Sequence, residues 1–264
     1  RFLQKHQPDE VYNLAAQSFV GASFQQPILT ADVTGLGTLR ILESIREHAP
    51  DAKFYQASSS EMYGNYTGIH NEQSHFEPRS PYGTAKVFAH HTTNHFKEAY
   101  DIFACCGILF NHESPLRGIE FVTRKITYEL ARIKYGKTSK LSLGNIKAKR
   151  DWGFAGDYVE AMWLMLQQKE PDNYVIATGE SHSVEEFLTI ATEYAGLGDW
   201  RDFVEIDEKN MRPTDIDELI GDASKAKKEL NWKPKVDFKN LVKMMIDHDM
   251  NLFKLQMDPL EDRK

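Results

Sequence analysis

The sequence contains few cysteines and no long apolar run, and each absence excludes a class of protein. Two of its 264 residues are cysteines, the adjacent pair Cys105 and Cys106 inside an apolar segment. A disulfide between neighbouring residues is strained, so we predict buried thiols in a reducing compartment, which favours a cytoplasmic protein. No segment approaches the ~20 consecutive apolar residues of a transmembrane helix. A disulfide-stabilised scaffold and a membrane-spanning protein are therefore not expected.

The chain also lacks an excess of positive charge. Its 32 Lys and Arg residues are outnumbered by 39 Asp and Glu residues, which gives a formal net charge of −7. This balance argues against a nucleic acid or an anionic membrane surface as the main partner. A phosphorylated ligand stays possible, because the arginines near a site decide that binding and the total charge does not.

Short apolar segments alternate with longer helical patterns along the chain. We predict strands at residues 10–15, 53–58, 102–110 and 174–178, and helices at 30–47, 81–100, 122–135, 157–168, 184–195 and 238–253. This alternation predicts an α/β fold in which helices cover a parallel sheet. From residue 199 the pattern becomes looser, which indicates a smaller C-terminal lobe. We place the sheet domain at 1–180 and the lobe mainly at 181–264, with the two interleaved.

Two short motifs carry groups that suit chemistry on a sugar alcohol. Ser58-Ser59-Ser60-Glu61 ends the predicted strand at 53–58, and Tyr82 and Lys86 lie in the first turns of the predicted helix at 81–100. Residues four apart share a helix face, so we expect Lys86 to lower the pKa of Tyr82. A phenol, an ammonium, a hydroxyl and a carboxylate together suit acid–base work during hydride transfer. Open α/β sheets bind ligands at this carboxyl edge.

Longer segments carry a resemblance to a known family. These segments are residues 8–18, 54–61, 109–115, 150–153 and 212–214. With the two motifs, they make the chain resemble the extended short-chain dehydrogenase/reductase family and, within it, its GDP-mannose 4,6-dehydratase branch. The resemblance implies a Rossmann-type doubly wound parallel sheet, NADP as cofactor, GDP-mannose as substrate and a homodimer or homotetramer.

The resemblance also implies the catalytic residues. Tyr82 is expected to take the proton of the C4 hydroxyl, and Lys86 to keep Tyr82 ionised. Ser59 is expected to hydrogen-bond the C4 oxygen. Glu61 is expected to remove the C5 proton and to assist loss of the C6 hydroxyl. Sugar 4-epimerases of this kind lack an acid at Glu61, and dTDP-glucose dehydratases carry Asp-Glu where this chain has Ser60-Glu61.

Binding residues follow from the same resemblance. The cofactor is expected to contact Leu14, Ala15, Ala16, Gln17, Ser18, Tyr82, Lys86, His112 and Arg117. The substrate is expected to contact Asn111, Arg150, Arg212 and Glu218.

These residues also have simpler interpretations. On that interpretation, Glu61 is a loop carboxylate, and Tyr82 and Lys86 are a solvated pair on a helix. Arg150 and Arg212 then belong to surface ion pairs. His112 is then a capping or packing histidine. His91 and His95 have the i, i+4 spacing of a metal-binding pair, but the sequence offers no third ligand and we predict no metal site.

Some positions depart from the family pattern. Leu29 replaces a tyrosine, Leu116 an arginine and Gly83-Thr84 an Ala-Val pair. The family opens with a strand and a Gly-rich turn that cradles a pyrophosphate, and these residues contain no such turn, so we expect the N-terminal strands of the sheet to be missing. Two alternatives stay open: a dehydratase or epimerase for another nucleotide sugar, and a non-catalytic remnant that partners an intact subunit.

Overall fold

The elements of the fold come from a computed structural model that describes residues 1–257, so the end of the predicted C-terminal lobe, 258–264, lies outside the described residues. The helices are α1 (Phe2–His6), α2 (Val20–Gln25), α3 (Pro27–Thr30), α4 (Gly37–His48), α5 (Pro81–Tyr100), α6 (Val122–Lys134), α7 (Ala155–Leu166), α8 (Val184–Ala195), α9 (Ser224–Glu229) and α10 (Phe238–Met257). The strands are β1 (Glu10–Asn13), β2 (Lys53–Ser59), β3 (Ile69–His70), β4 (Ala104–Leu109), β5 (Asn111–Glu113), β6 (Leu141–Leu143), β7 (Lys149–Arg150), β8 (Trp152–Phe154), β9 (Tyr174–Ile176), β10 (His182–Ser183), β11 (Val204–Ile206) and β12 (Glu218–Gly221). Among residues 1–257, no helix has the length and apolar character needed to cross a membrane.

The main sheet is parallel, in the order β1-β2-β4-β9. Its register pairs Asn13 of β1 with Gln56 of β2, and Ser59 of β2 with Leu109 of β4, so the carboxyl ends of the strands meet at one edge. The predicted Rossmann-type parallel sheet is confirmed. Strands β1 and β9 are its two edge strands within the described residues.

Alternate residues of β2 and β4 are buried on opposite faces of the sheet. Phe54 and Ala104 pack with Leu42 and Ile45 of α4 and with Phe96 of α5. Their neighbours in sequence pack against α7 instead, in a cluster that contains Tyr55, Cys105, Tyr158, Met162 and Met165. Every residue of β4 is buried because helices cover both faces, as in other parallel sheets.

The predicted continuous helix at 30–47 is interrupted. Helix α3 ends at Thr30, a π-helical turn spans Ala31–Leu36, and α4 begins at Gly37. A Cβ atom on Gly35 would lie 3.3 Å from the Phe88 ring of α5. The wide turn and the missing side chain therefore let this helix and α5 lie close together.

The C-terminal lobe has its own core, which draws on residues from both sides of position 180. Helices α6, α8 and α10 pack around the aromatic residues Trp152, Phe187 and Phe238. Trp152 and Phe238 are stacked with ring centroids 6.0 Å apart, and Phe187 meets both at steep angles. The boundary at residue 180 stays a prediction.

One buried carboxylate ties the lobe to the sheet domain. Asp151, between β7 and β8, accepts hydrogen bonds from the Thr178 amide at 2.8 Å, the Thr178 hydroxyl at 2.7 Å and the Gly179 amide at 2.9 Å. A longer contact of 3.4 Å reaches the Gly221 amide in β12. Burial raises the pKa of Asp151, and these donors lower it. The carboxylate thus joins the end of β9 to the small sheet of the lobe.

Replacing this carboxylate should destabilise the whole chain. We expect Asp151→Ala to lower the free energy of unfolding by about 3 kcal/mol, because it leaves buried N–H groups without an acceptor. Asp202, an exposed aspartate, is the control, and Asp202→Ala should stay within about 0.5 kcal/mol of wild type. Denaturant unfolding measures both changes in the free energy of unfolding. Equal effects would show that the hydrogen bonds to Asp151 do not join the lobe to the sheet domain.

Candidate active site

A cleft of about 730 Å³ opens at the carboxyl edge of the main sheet, between that edge and the C-terminal lobe. Its polar lining includes Glu61, Asn111, Arg117, Arg150, Arg212 and Asp215. Glu61 and Asn111 come just after the carboxyl ends of β2 and β4, and Arg150, Arg212 and Asp215 come from the lobe, so segments distant in sequence meet here.

The start of helix α5 lies against the turn that follows β2. Ser80 caps the helix, its hydroxyl accepting a hydrogen bond from the Gly83 amide at 3.0 Å, and Pro81 occupies the first turn. A Cβ atom on Gly83 would lie 2.7 Å from the Glu61 carbonyl oxygen. The departure from the family pattern at Gly83 therefore coincides with a close contact between backbones.

This close approach brings Ser59 and Glu61 to Tyr82. The phenol is buried, and burial raises the pKa of Tyr82 to about 12. The nearby Ser59 hydroxyl lowers the pKa of Tyr82, and the Glu61 carboxylate raises it. The structure thus groups three of the four predicted catalytic side chains.

Lys86 lies one turn further along the same helix face and is also buried. Its Nζ atom donates to the Ala57 carbonyl oxygen at 2.6 Å and lies 5.7 Å from the centre of the Tyr82 ring. Burial lowers the pKa of Lys86 to about 8. The expected lowering of the Tyr82 pKa by Lys86 does not appear here. Burial has the largest effect on the pKa of the phenol, and the Lys86 ammonium donates its hydrogen bond to a backbone oxygen.

His112 and Arg117 occupy fixed positions beside this group. The Nδ1–H of His112 donates to the Phe110 carbonyl oxygen at 2.9 Å, which leaves Nε2 as an acceptor. The ring stacks on Tyr158 at 5.1 Å, and burial lowers the pKa of His112 to about 4, so the ring is neutral. Arg117 Nε lies 3.3 Å from a Glu113 oxygen.

The loop at residues 14–18 lies beside the cleft. The Gln17 amide donates to the Thr34 hydroxyl at 3.1 Å, and the Gln17 side-chain oxygen accepts from the Thr30 hydroxyl at 3.2 Å. These bonds fix the loop at the carboxyl end of β1. The lining of the cleft on this side begins with Phe19.

Two arginines face Glu61 from the lobe. Arg150 is 7% exposed and donates to the Ile216 carbonyl oxygen at 2.7 Å and to Asp215 at 3.2 Å. Arg212 Nη1 lies 3.5 Å from Glu61 Oε1 and 3.8 Å from Asp215 Oδ1. Arg150 is therefore not part of a surface ion pair. Positive and negative side chains alternate on this side of the cleft.

Comparison with known proteins decides the family. Residues 1–245 match the model of the family described as GDP-mannose 4,6 dehydratase. The chain is 59% identical over 258 residues to GDP-mannose 4,6 dehydratase 1 of Arabidopsis thaliana, with 96% of this chain and 71% of that protein covered. It is 48% identical over 273 residues to the Homo sapiens GDP-mannose 4,6 dehydratase, with 96% and 73% covered.

The chain belongs to the GDP-mannose 4,6-dehydratase family. A solved structure supports the fold alone: RMD from Pseudomonas aeruginosa complexed with NADPH has a TM-score of 0.85 at 24% identity, and the match covers 94% of this chain and 83% of that one. The predicted membership of this dehydratase family is confirmed.

Not every residue that the family resemblance suggested reaches the cleft. Asn111 lines it, but Glu218 lies on the surface of the small sheet, bonded to the Ser181 hydroxyl and 3.9 Å from Lys149. Sequence reasoning missed Glu113, a buried carboxylate that accepts from Thr123 at 2.6 Å. Burial raises the pKa of Glu113. Its place inside the recognised segment at 109–115 was the available signal.

The buried ammonium gives this dehydratase-family chain a testable pH dependence. The Lys86 pKa is about 8 in the folded chain against an ordinary 10.5, so the unfolded chain binds this proton more strongly between those pH values. Wild type should therefore gain stability relative to Lys86→Met as the pH rises from 8 to 10.5, by up to about 3 kcal/mol.

Denaturant unfolding of both proteins at several pH values gives that difference. Lys239→Met is the control, since Lys239 is exposed, and its difference from wild type should stay flat. A difference for Lys86→Met that is constant from pH 7 to 10.5 would contradict the lowered pKa of Lys86 in the folded chain.

Proposed function

We propose that the cleft converts GDP-mannose to GDP-4-keto-6-deoxymannose with NADP as cofactor. One observation carries this proposal: in a chain of the GDP-mannose 4,6-dehydratase family, the Glu61 carboxylate lies beside the Tyr82 phenol at the sheet edge. A phenol alone suits oxidation of an alcohol, whereas the added carboxylate suits removal of a carbon-bound proton and loss of water.

The side chains at the sheet edge fit the nicotinamide end of NADP. Lys86 has three N–H donors, and its contact with the Ala57 oxygen uses one of them. His112 presents Nε2 as an acceptor, and Arg117 supplies a cation. These three residues would hold the cofactor. When bound, NADP supplies a hydride acceptor for C4 and returns the hydride to C6.

Tyr82 and Ser59 act at C4. As the C4–H bond breaks, the Tyr82 oxygen takes the proton of the C4 hydroxyl, and the Ser59 hydroxyl donates a hydrogen bond to the C4 oxygen. Burial holds the pKa of Tyr82 at about 12, so the phenolate needs help from its surroundings. That value already includes the Ser59 hydroxyl and the Arg117 charge, which lower the pKa of Tyr82 by less than burial raises it.

Glu61 acts at C5 and C6. The C4 ketone makes the C5 proton acidic, and the Glu61 carboxylate removes it. The same carboxyl group gives a proton to the C6 hydroxyl, which leaves as water while a C5–C6 double bond forms. The short turn after β2 suits this task, because it holds the carboxylate at the cleft wall with its backbone fixed against α5.

Arg150 and Arg212 bind the diphosphate of the substrate. A guanidinium presents N–H groups in a planar fork that matches phosphate oxygens. Both side chains line the cleft on the lobe side. Arg212 also pairs with Glu61 at 3.5 Å, so a diphosphate competes with this carboxylate for Arg212.

Replacing Glu61 tests the reaction. We expect Glu61→Gln to lower formation of the 4-keto-6-deoxy product by about a thousandfold, within the range of general acid–base catalysis, and to leave oxidation at C4 detectable as reduced nicotinamide. Glu180→Gln changes an exposed glutamate outside the cleft and serves as the control. Chromatography of the products from GDP-, UDP- and dTDP-sugars measures both turnover and choice of substrate. Unchanged turnover in Glu61→Gln, or a preference for a UDP- or dTDP-sugar, would overturn the proposal.

The chain also carries an apolar face that suits self-association as a homodimer or homotetramer. Four apolar side chains around the π-helical turn and on α5 are between 37% and 48% exposed: Leu29, Val33, Leu36 and Phe88.

We expect Phe88→Asp to reduce the sedimentation mass to that of a monomer, because a buried charge opposes association. Val159→Asp, on α7 across the sheet, should leave the mass unchanged. Equal masses for wild type and Phe88→Asp would exclude this face.

A further inference from the structure

A buried ion pair joins helix α10 to helix α6. Asp249 of α10 is 0% exposed, and both of its oxygens accept from Arg124 Nε at 2.9 Å. Arg124 Nη2 lies 2.7 Å from the same carboxylate, and the Thr127 hydroxyl donates to it at 2.6 Å. The carboxylate is thus fully occupied by partners of α6.

The other side of the Arg124 guanidinium holds the loop at residues 114–121. Arg124 Nη1 donates to the Pro115 carbonyl oxygen and, at 3.1 Å, to the Arg117 carbonyl oxygen. One planar side chain therefore connects the carboxylate of α10 to two backbone oxygens of this loop. A lysine cannot do this, because its ammonium is a compact charge without a fork.

The loop at 114–121 forms one wall of the cleft. It carries Arg117 and Phe121 into the lining, with the Arg117 guanidinium 3.5 Å from the centre of the Phe121 ring. Its own backbone bonds are single turns, from the Arg117 amide to Ser114 at 3.0 Å and from the Phe121 amide to Gly118 at 3.1 Å. Leu116 is 88% exposed, so little packing holds the middle of the loop.

We propose that Asp249 and Arg124 are positioning residues that hold the loop at 114–121 in the conformation that binds ligand. The inference rests on the proposed function of the cleft. Without the ion pair, the guanidinium loses the partner that orients it, and the loop gains conformational freedom. Ligand binding must then supply the free energy that orders Arg117 and Phe121. The groups that act on the sugar lie on β2 and α5, away from this connection.

Asp249→Asn tests the proposal, since it removes the charge and keeps the size. We expect the KM for NADP, which Arg117 would help to hold, to rise by about tenfold, which corresponds to about 1.4 kcal/mol of binding free energy. At saturating NADP the kcat should stay within about twofold, because the bound cofactor orders Arg117 and the groups that react with the sugar are unchanged. Amide hydrogen exchange should become faster at Arg117 and Phe121. Asp247→Asn is the control: Asp247 lies on the same helix but, among residues 1–257, accepts from the Tyr194 hydroxyl alone, at the surface.

Arg124→Lys is the second variant, and it keeps the charge while losing the fork. It should show the same rise in KM and the same faster exchange, with a smaller fall in melting temperature than Asp249→Asn. If either variant lowers the melting temperature but matches Asp247→Asn in KM and exchange, the ion pair serves stability alone and the proposal is wrong. If wild type forms no 4-keto product, the proposed function fails by itself, and the exchange rates of Asp249→Asn and Arg124→Lys still decide this inference.

Discussion

The contact between helix α5 and the carboxyl end of β2 is the constraint on which the site depends. Lys86 donates to the Ala57 oxygen within the core, and Gly83 lets the first turn of α5 meet the Glu61 backbone. The Ser80 cap sets where the helix begins. A shift of one residue at any of these points would rotate Tyr82 away from Ser59, since neighbouring helix residues lie about 100° apart.

The same contact carries an energetic cost. Burial raises the pKa of Tyr82 to about 12 and lowers the pKa of Lys86 to about 8, so burial disfavours the charged form of each group, including the Lys86 ammonium. Two apolar clusters on the faces of the sheet and a third in the lobe offset this cost. Stability and reactivity therefore oppose each other at this edge, as in many active sites.

Much of the fold and of the reacting group could be predicted from local pattern. Helix α5 begins and ends at the predicted residues, and Ser80 and Pro81 mark its start. Helix α8 also begins and ends at the predicted residues. The π-helical turn and the pairing of Arg212 with Glu61 could not be predicted, because both depend on contacts between segments distant in sequence. The placement of Glu218 also depends on such contacts: the family resemblance assigns it to the substrate, which stays a prediction, and strand β12 places it at the surface beside Lys149.

The origin of the hydrogen at C5 of the product tests most directly whether this site removes the C5 proton, which is the step assigned to Glu61. If the carboxyl group passes the C5 proton to the departing C6 hydroxyl, that proton leaves in water and the product takes its C5 hydrogen from solvent. Reaction of GDP-mannose in D₂O, followed by NMR of the 4-keto-6-deoxy product, should therefore show deuterium at C5 and none from solvent at C6. A product that retains its original hydrogen at C5 would contradict removal of that proton by Glu61.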